Sequence, residues 1–160
     1  MAVTYDKIAT STVSGSSTTN VEFTSIPGTY TDLILVASFS MSANDEFLIT
    51  FNSDSGTNYS RTYIIGDGST TSSVRNTNTN YIAALGRNYW MQNIVHIFNY
   101  ASTNVYKTAL IRTDAASTLT GAIVGLWRNT AAITTVKAAL LNSKTYTSGS
   151  MLTLYGVKAA

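Results

Sequence analysis

Apolar and polar residues alternate with a period of two along most of the chain, the pattern of strands whose two faces meet different surroundings. From Asp32 to Met41, Leu33, Leu35, Ala37 and Phe39 share one face. The opposite face of that segment is also largely apolar, which predicts a central strand. Phe47, Ile49 and Phe51 align within Glu46 to Asn52. Tyr59, Arg61, Tyr63 and Ile65 oppose Thr62 and Ile64 within Tyr59 to Gly66. Ile94, His96 and Phe98 lie opposite Val95 and Ile97 within Trp90 to Asn99. In Val105 to Thr113, Tyr106, Thr108, Leu110 and Arg112 face one way and Val105, Ala109 and Ile111 the other.

Further strands are predicted over Leu119 to Arg128, Ile133 to Leu141 and Met151 to Val157, with weaker ones at Val3–Ala9, Asn20–Ile26 and Tyr81–Leu85. A helix over Ala131 to Leu141 is the competing assignment, but the β-branched run Ile133-Thr134-Thr135-Val136 favours a strand. The intervening segments supply Gly, Asn, Asp and Ser, the residues that turn a chain tightly. The stretch from Gly66 to Asn80 has almost no apolar content and reads as a long surface loop. Short strands at regular spacing predict an all-β fold, an antiparallel β-sandwich of jelly-roll type in one domain spanning residues 1–160, with under about 10% helix. Residues 1–17 are either its outer strand or a segment that docks on a partner.

Composition changes the picture in one respect. Ser, Thr and Asn total 58 of 160 residues, while only 11% are charged. Such a surface is made of hydroxyls and amides and has little colloidal repulsion, which suits a protein that lives in an assembly. The ten Lys and Arg are scattered singly, without the basic stripe of a nucleic-acid binder. The longest strictly apolar run, Leu33-Ile34-Leu35-Val36-Ala37, is too short to span a membrane. Met1–Asp6 lacks the basic and apolar regions of a secretory signal, so the expectation is a protein made in the cytoplasm and not exported by that route.

Candidate chemistry is sparse. There is no cysteine and a single histidine, His96, so a cysteine nucleophile and a His- or Cys-rich metal centre are excluded. No Gly-x-Ser-x-Gly elbow accompanies His96, which reads as a hydrogen-bonded structural residue. Asp45 and Glu46 are adjacent, so on a strand they point to opposite sides and do not form a glycosidase pair. Gly66-Asp67-Gly68 lacks the helix and third glycine of a phosphate loop. The predicted site inventory is therefore no catalytic residue, no cofactor and no metal ligand. The loop Asn52–Asn58 presents alternating oxygens around Gly56, but Asp54 is its only carboxylate, and a plain hairpin turn is favoured over a cation site. Tyr59, Tyr63, Tyr81, Tyr89, Trp90 and Tyr106 are candidates for stacking on sugar rings, against the plainer reading of packing and subunit contact.

Several local patterns resemble a β-rich domain of tailed-bacteriophage virion proteins. They are Tyr30-Thr31-Asp32-Leu33-Ile34-Leu35-Val36, then Ile49 to Ser60, then Ile97-Phe98-Asn99-Tyr100-Ala101-Ser102-Thr103 followed by Lys107. Gly125-Leu126-Trp127 followed by Ala132-Ile133-Thr134, and the terminal Leu154-Tyr155-Gly156-Val157, continue the series. The resemblance spans roughly residues 25–158 and implies a non-enzymatic virion structural protein, with no catalytic residue to transfer. Its expected station is the outer capsid surface, as a decoration or head-knob protein bound to the major capsid protein or another virion protein. The alternative is a tail fibre or receptor-binding module with a host surface glycan as its ligand. Self-association is expected in either case, a homotrimer by analogy with small virion jelly rolls.

Overall fold

The computed structural model describes residues 4–15, 17–115 and 118–158. Twelve strands form two antiparallel sheets. They are β1 (Tyr5–Thr12), β2 (Asn20–Phe23), β3 (Asp32–Phe39), β4 (Asp45–Phe51), β5 (Tyr59–Gly66) and β6 (Thr71–Thr79), then β7 (Ile82–Gly86), β8 (Met91–Phe98), β9 (Lys107–Ala115), β10 (Leu119–Trp127), β11 (Val136–Leu140) and β12 (Met151–Val157). The wide sheet has eight strands in the order β1-β12-β3-β8-β9-β10-β5-β6, and the narrow sheet four, β2-β11-β4-β7. Among the described residues the one helical element is a three-residue turn at Leu141–Ser143, and no helix is long and apolar enough to cross a membrane.

The expected all-β sandwich is present, and its connectivity is specific. Without the hairpins β5–β6 and β9–β10, the remaining strands form two four-stranded sheets, β1-β12-β3-β8 and β2-β11-β4-β7. Successive strands then cross between the sheets as in a jelly roll, with β4 and β7 paired within the narrow one. The two hairpins are insertions that widen one sheet, β9–β10 pairing with β8 and β5–β6 continuing outward.

The core lies between the sheets and is built from the alternating positions read above. Leu33, Leu35, Ala37 and Phe39 of β3, Val95 and Ile97 of β8, and Ala109 and Ile111 of β9 are fully buried against Phe47, Ile49 and Phe51 of β4. Phe39 stacks on Phe47 with ring centroids 5.0 Å apart and meets the edge of Tyr146 at 5.6 Å. Gly125 on β10 is a position where a side chain has no room: a Cβ there would lie 2.6 Å from the side chain of Ile82. That absence lets β7 press directly on the wide sheet.

Two expectations need correction. Gly66 to Asn80 is not a loop, because Thr71–Thr79 forms the outermost strand of the wide sheet, paired with β5 through most of its length. Its turn is set by Asp67, whose carboxylate accepts hydrogen bonds from the Ser69 and Thr70 amides at 2.8 and 2.6 Å, with Gly68 at a φ of 89°. β6 buries neither face, so it carries no apolar alternation to read. The strand over Ile133 to Leu141 is shorter than expected and begins at Val136. The amide of Ile133 bonds to Tyr100 O, and those of Thr134 and Thr135 to the Asn52 side chain, so none of the three is available to a ladder.

At the other edge, Tyr5–Thr12 pairs with β12 along its length, with a bulge between Lys7 and Ala9. The outer-strand alternative therefore describes residues 5–12, while Met1–Val3 and Ser16 lie outside the described residues. Deleting residues 2–12 would strip β12 of its neighbour and uncover Leu152 and Leu154. The expected outcome is insoluble protein or a lost cooperative unfolding transition, checked by soluble yield and thermal melting.

Candidate interaction surfaces

The two faces of the wide sheet differ. The inner face is core. On the outer face, backbone register sets Ile34, His96, Leu110 and Val124 in one row across four neighbouring strands. Val36, Ile94, Arg112, Ala122 and Ile64 form the next row. Among the described residues no element packs over these rows. Ile34, Val36 and Ile94 are half-buried by their neighbours alone, while Ile64, Leu110 and Val124 are 55%, 43% and 54% exposed. Tyr5 and Met151 stand exposed on the same face, so it holds five of the nine large exposed hydrophobics among the described residues. The apolar outer face of β3 is thus not a sign of a third layer within the chain. Exposed contiguous apolar patches on proteins commonly mark interaction sites.

His96 sits within that face. Its Nε2 lies 2.9 Å from the Asp32 carboxylate, whose other oxygen accepts the Asn99 amide at 2.8 Å, and its ring stacks on Phe98 at 4.0 Å. These contacts match a hydrogen-bonded structural histidine. Asp45 and Glu46 diverge as their adjacency predicts: Glu46 pairs with Arg61 at 2.6 Å, and Asp45 accepts the Asn142 amide at 3.0 Å.

The loop Asn52–Asn58 carries the chain from the narrow sheet to the wide one, and its carboxylate is already engaged. Asp54 Oδ2 accepts the indole N–H of Trp127 at 2.7 Å and the Asn58 amide at 2.9 Å, while Oδ1 accepts the Gly56 amide at 2.8 Å. Burial acts to raise the Asp54 pKa, but the donors from Trp127, Asn58 and Gly56 together outweigh it and hold the carboxyl below its ordinary range. A cation would have to displace these donors, and among the described residues no three His, Cys, Asp or Glu side chains cluster as metal ligands. Asp54 thus latches the loop to β10.

The aromatic candidates do not converge on one platform. Tyr59 is fully buried, its hydroxyl accepting the Phe51 amide at 3.0 Å, and is no surface residue at all. Tyr63 packs half-buried beneath Arg61, 5.4 Å from its guanidinium. Tyr89 bonds to the Thr118 hydroxyl. Trp90 and Tyr106 are each 55% exposed but precede neighbouring antiparallel strands, so they stand at opposite ends of the sheet. Tyr81 lies beside the Asn52–Asn58 loop: with Ser53, Asp54 and Ser55 it lines a groove of about 250 Å³ on the outer face of the narrow sheet, together with Thr50 and Lys137.

Lys107 escaped the sequence reading. It is fully buried opposite Trp127, and its ammonium donates to the carbonyls of Val105 and Thr130 at 2.9 and 3.0 Å. Burial lowers its pKa. It ties the entry of β9 to the exit of β10 and lines no cleft described above. No family model matches the chain, and neither curated proteins nor solved structures give a match to it.

Asp54→Ala is expected to cost about 2 kcal/mol of stability at neutral pH, since it strands the buried indole N–H and two loop donors. The stabilisation from the Asp54 carboxylate is complete above its unfolded pKa of about 4 and fades as pH falls through its lower folded value. The stability gap between the protein and its Asp54→Asn variant therefore narrows below about pH 4. Denaturant melts across the acid range check both. His96→Gln, which loses the stacked imidazole, is expected to cost about 1–2 kcal/mol in the same measurement.

Proposed function

We propose that this chain is a non-enzymatic structural protein of a bacteriophage virion, seated on the outer surface of the capsid as a decoration protein. The observation that carries the reading is the uncovered outer face of the wide sheet, where Ile64, Leu110 and Val124 stand exposed beside Ile34, Val36 and Ile94. A chain made to work alone in water would place polar residues at those alternating positions. The rest of the surface is rich in hydroxyls and amides and carries few charges, as suits packing into a dense shell. Jelly rolls serve as capsid domains and as lectins alike, so the fold is compatible with this station without selecting it. Together with the resemblance of residues 25–158 to virion domains, these features favour the capsid over a free binding module.

The groove beside Tyr81 is the observation that favours a second reading, a receptor-binding tail module that holds a glycan. Tyr81 provides an aromatic wall, and Thr50, Ser53 and Lys137 provide hydrogen-bonding groups around it. The two readings part in a single experiment. Labelling the protein on intact particles is expected to mark the head at regular positions. Label confined to the tail, or tight binding of the isolated protein to host cells that is lost in Tyr81→Ala, replaces the capsid reading with the second one.

A further inference from the structure

We propose that the groove beside Tyr81 holds one uncharged pyranose residue and discriminates against acidic sugars. This rests on reading the groove as a glycan site, whichever part of a particle carries the chain.

Backbone register explains why a hollow lies there. Lys137 of β11 pairs with Thr50 of β4, and the pairing of Ile49 with Ile82 sets Tyr81 next in that row. The neighbouring row holds Ala139 beside Leu48. Alanine at 139 leaves open the space that the longer side chains of Lys137 and Tyr81 border, and the Ser53–Ser55 loop closes one end. The volume of about 250 Å³ falls just below the roughly 300 Å³ at which drug-sized pockets begin, so it suits a single ring.

The polar groups around it divide sharply. In the adjoining loop Asn52, Asp54 and Asn58 are spent on the fold. Thr50, Ser53, Ser55, Asn80, Tyr81 and Lys137 line the groove, and among the described residues none of their side chains bonds to another protein group. Thr79 reaches Tyr81 only through its backbone carbonyl. Hydroxyls and amides both donate and accept, which matches them to the hydroxyls of a sugar. The Tyr81 ring, with Leu48 and Ala139 beside it, offers apolar surface to the C–H side of the same ring.

Charge selects the class of sugar. Asp54 lines the groove, but its oxygens already accept from Trp127, Asn58 and Gly56, which fills the roughly four lone-pair sites of a carboxylate. It can therefore repel an anion without binding a sugar hydroxyl. The same donors hold its pKa down and keep it ionised at neutral pH. Among the described residues Lys137 is the one cation lining the groove, and it pairs in register with Glu22 of β2. Its charge is thus opposed by carboxylates on two sides. A uronate would bring a third anion to this cluster, whereas a neutral ring adds none and still accepts from the Lys137 ammonium.

Amide chemical-shift titration of the full chain with methyl glucoside, galactoside and mannoside, and with their matching uronides, tests this. At least one neutral glycoside is expected to shift residues of the Ser53–Ser55 loop and of β11 saturably, and to bind about tenfold or more tighter than its uronide. Tyr81→Ala should weaken that binding about tenfold with unchanged circular dichroism, while Tyr81→Phe, which keeps the ring, should retain it. Raising salt from about 10 to about 500 mM should narrow the gap between neutral and acidic sugars, because it screens Asp54 and Glu22. A uronide that binds as tightly as its neutral partner overturns the inference and leaves the groove a glycan site. If none of these sugars shifts the groove residues, or if binding is indifferent to Tyr81→Ala, the inference and the glycan reading fall together.

Discussion

The Asp54–Trp127 hydrogen bond holds one of the places where the chain crosses from the narrow sheet to the wide one, and a corner of the sandwich is built around it. Asp54 lies in the crossing from β4 to β5, and Trp127 ends β10 on the inner face of the wide sheet. The indole packs between Phe51 of the narrow sheet and Tyr59 of the wide one, with ring centroids 5.6 and 6.3 Å away. Tyr59 returns the contact by bonding its hydroxyl to the Phe51 backbone. Asn52, one residue beyond β4, takes the Thr134 and Thr135 amides and gives its own amide to Ala132 O, which fixes the approach to β11. Arg128 completes the cluster by reaching the carbonyl of Thr57 at 2.7 Å and the Asn78 side chain at 3.1 Å. Segments remote in sequence are thereby pinned at one corner by groups that are each hydrogen-bonded, so that polar atoms enter the interior without being stranded there.

The mismatch between a wide and a narrow sheet comes from the two inserted hairpins, which extend the wide sheet past the edge of the narrow one. β7 reaches beneath them. Contact there is close because β10 carries glycine opposite Ile82. Farther out, Arg61 with Glu46 and Tyr63 close the seam between the sheets with a charged pair and an aromatic ring. The inserted strands supply Tyr59, Ile111, Ile123 and Trp127 to the inner core and Leu110, Val124 and Ile64 to the outer face.

How much of this was legible in the sequence depends on what each residue faces. Strands with one face in the core announced themselves, as Leu33 to Phe39 did. β6 did not, because an edge strand in water needs only backbone pairing and its Thr, Ser and Asn side chains carry no periodic signal. Lys107 was readable in principle: it lies in the inward series with Ala109 and Ile111, and a lysine there must find carbonyl partners. The Asp54 latch was not readable, since its partner stands 73 residues away and the loop's own pattern fits a turn equally well. His96 is hydrogen-bonded, as expected, but its partner Asp32 emerged only from the pairing of β3 with β8. The outer face was half legible: apolar residues on both sides of β3 were visible, but whether the second side met protein or water was decided by strand order.

The pairing of β1 with β12 has a consequence in time. Tyr5 lies beside Val157, so β1 finds its neighbour only after β12 has been made, about 140 residues later. β3 is in the same position, since its neighbours β12 and β8 are both made later. Contacts so distant in sequence close slowly, and the wide sheet is completed only once β12 has been made. A chain interrupted before β12 presents an open edge along β1 and β3 and cannot offer a finished outer face to any partner. Admission to an assembly through that face would then act as a proofreading step, passing only chains translated through β12.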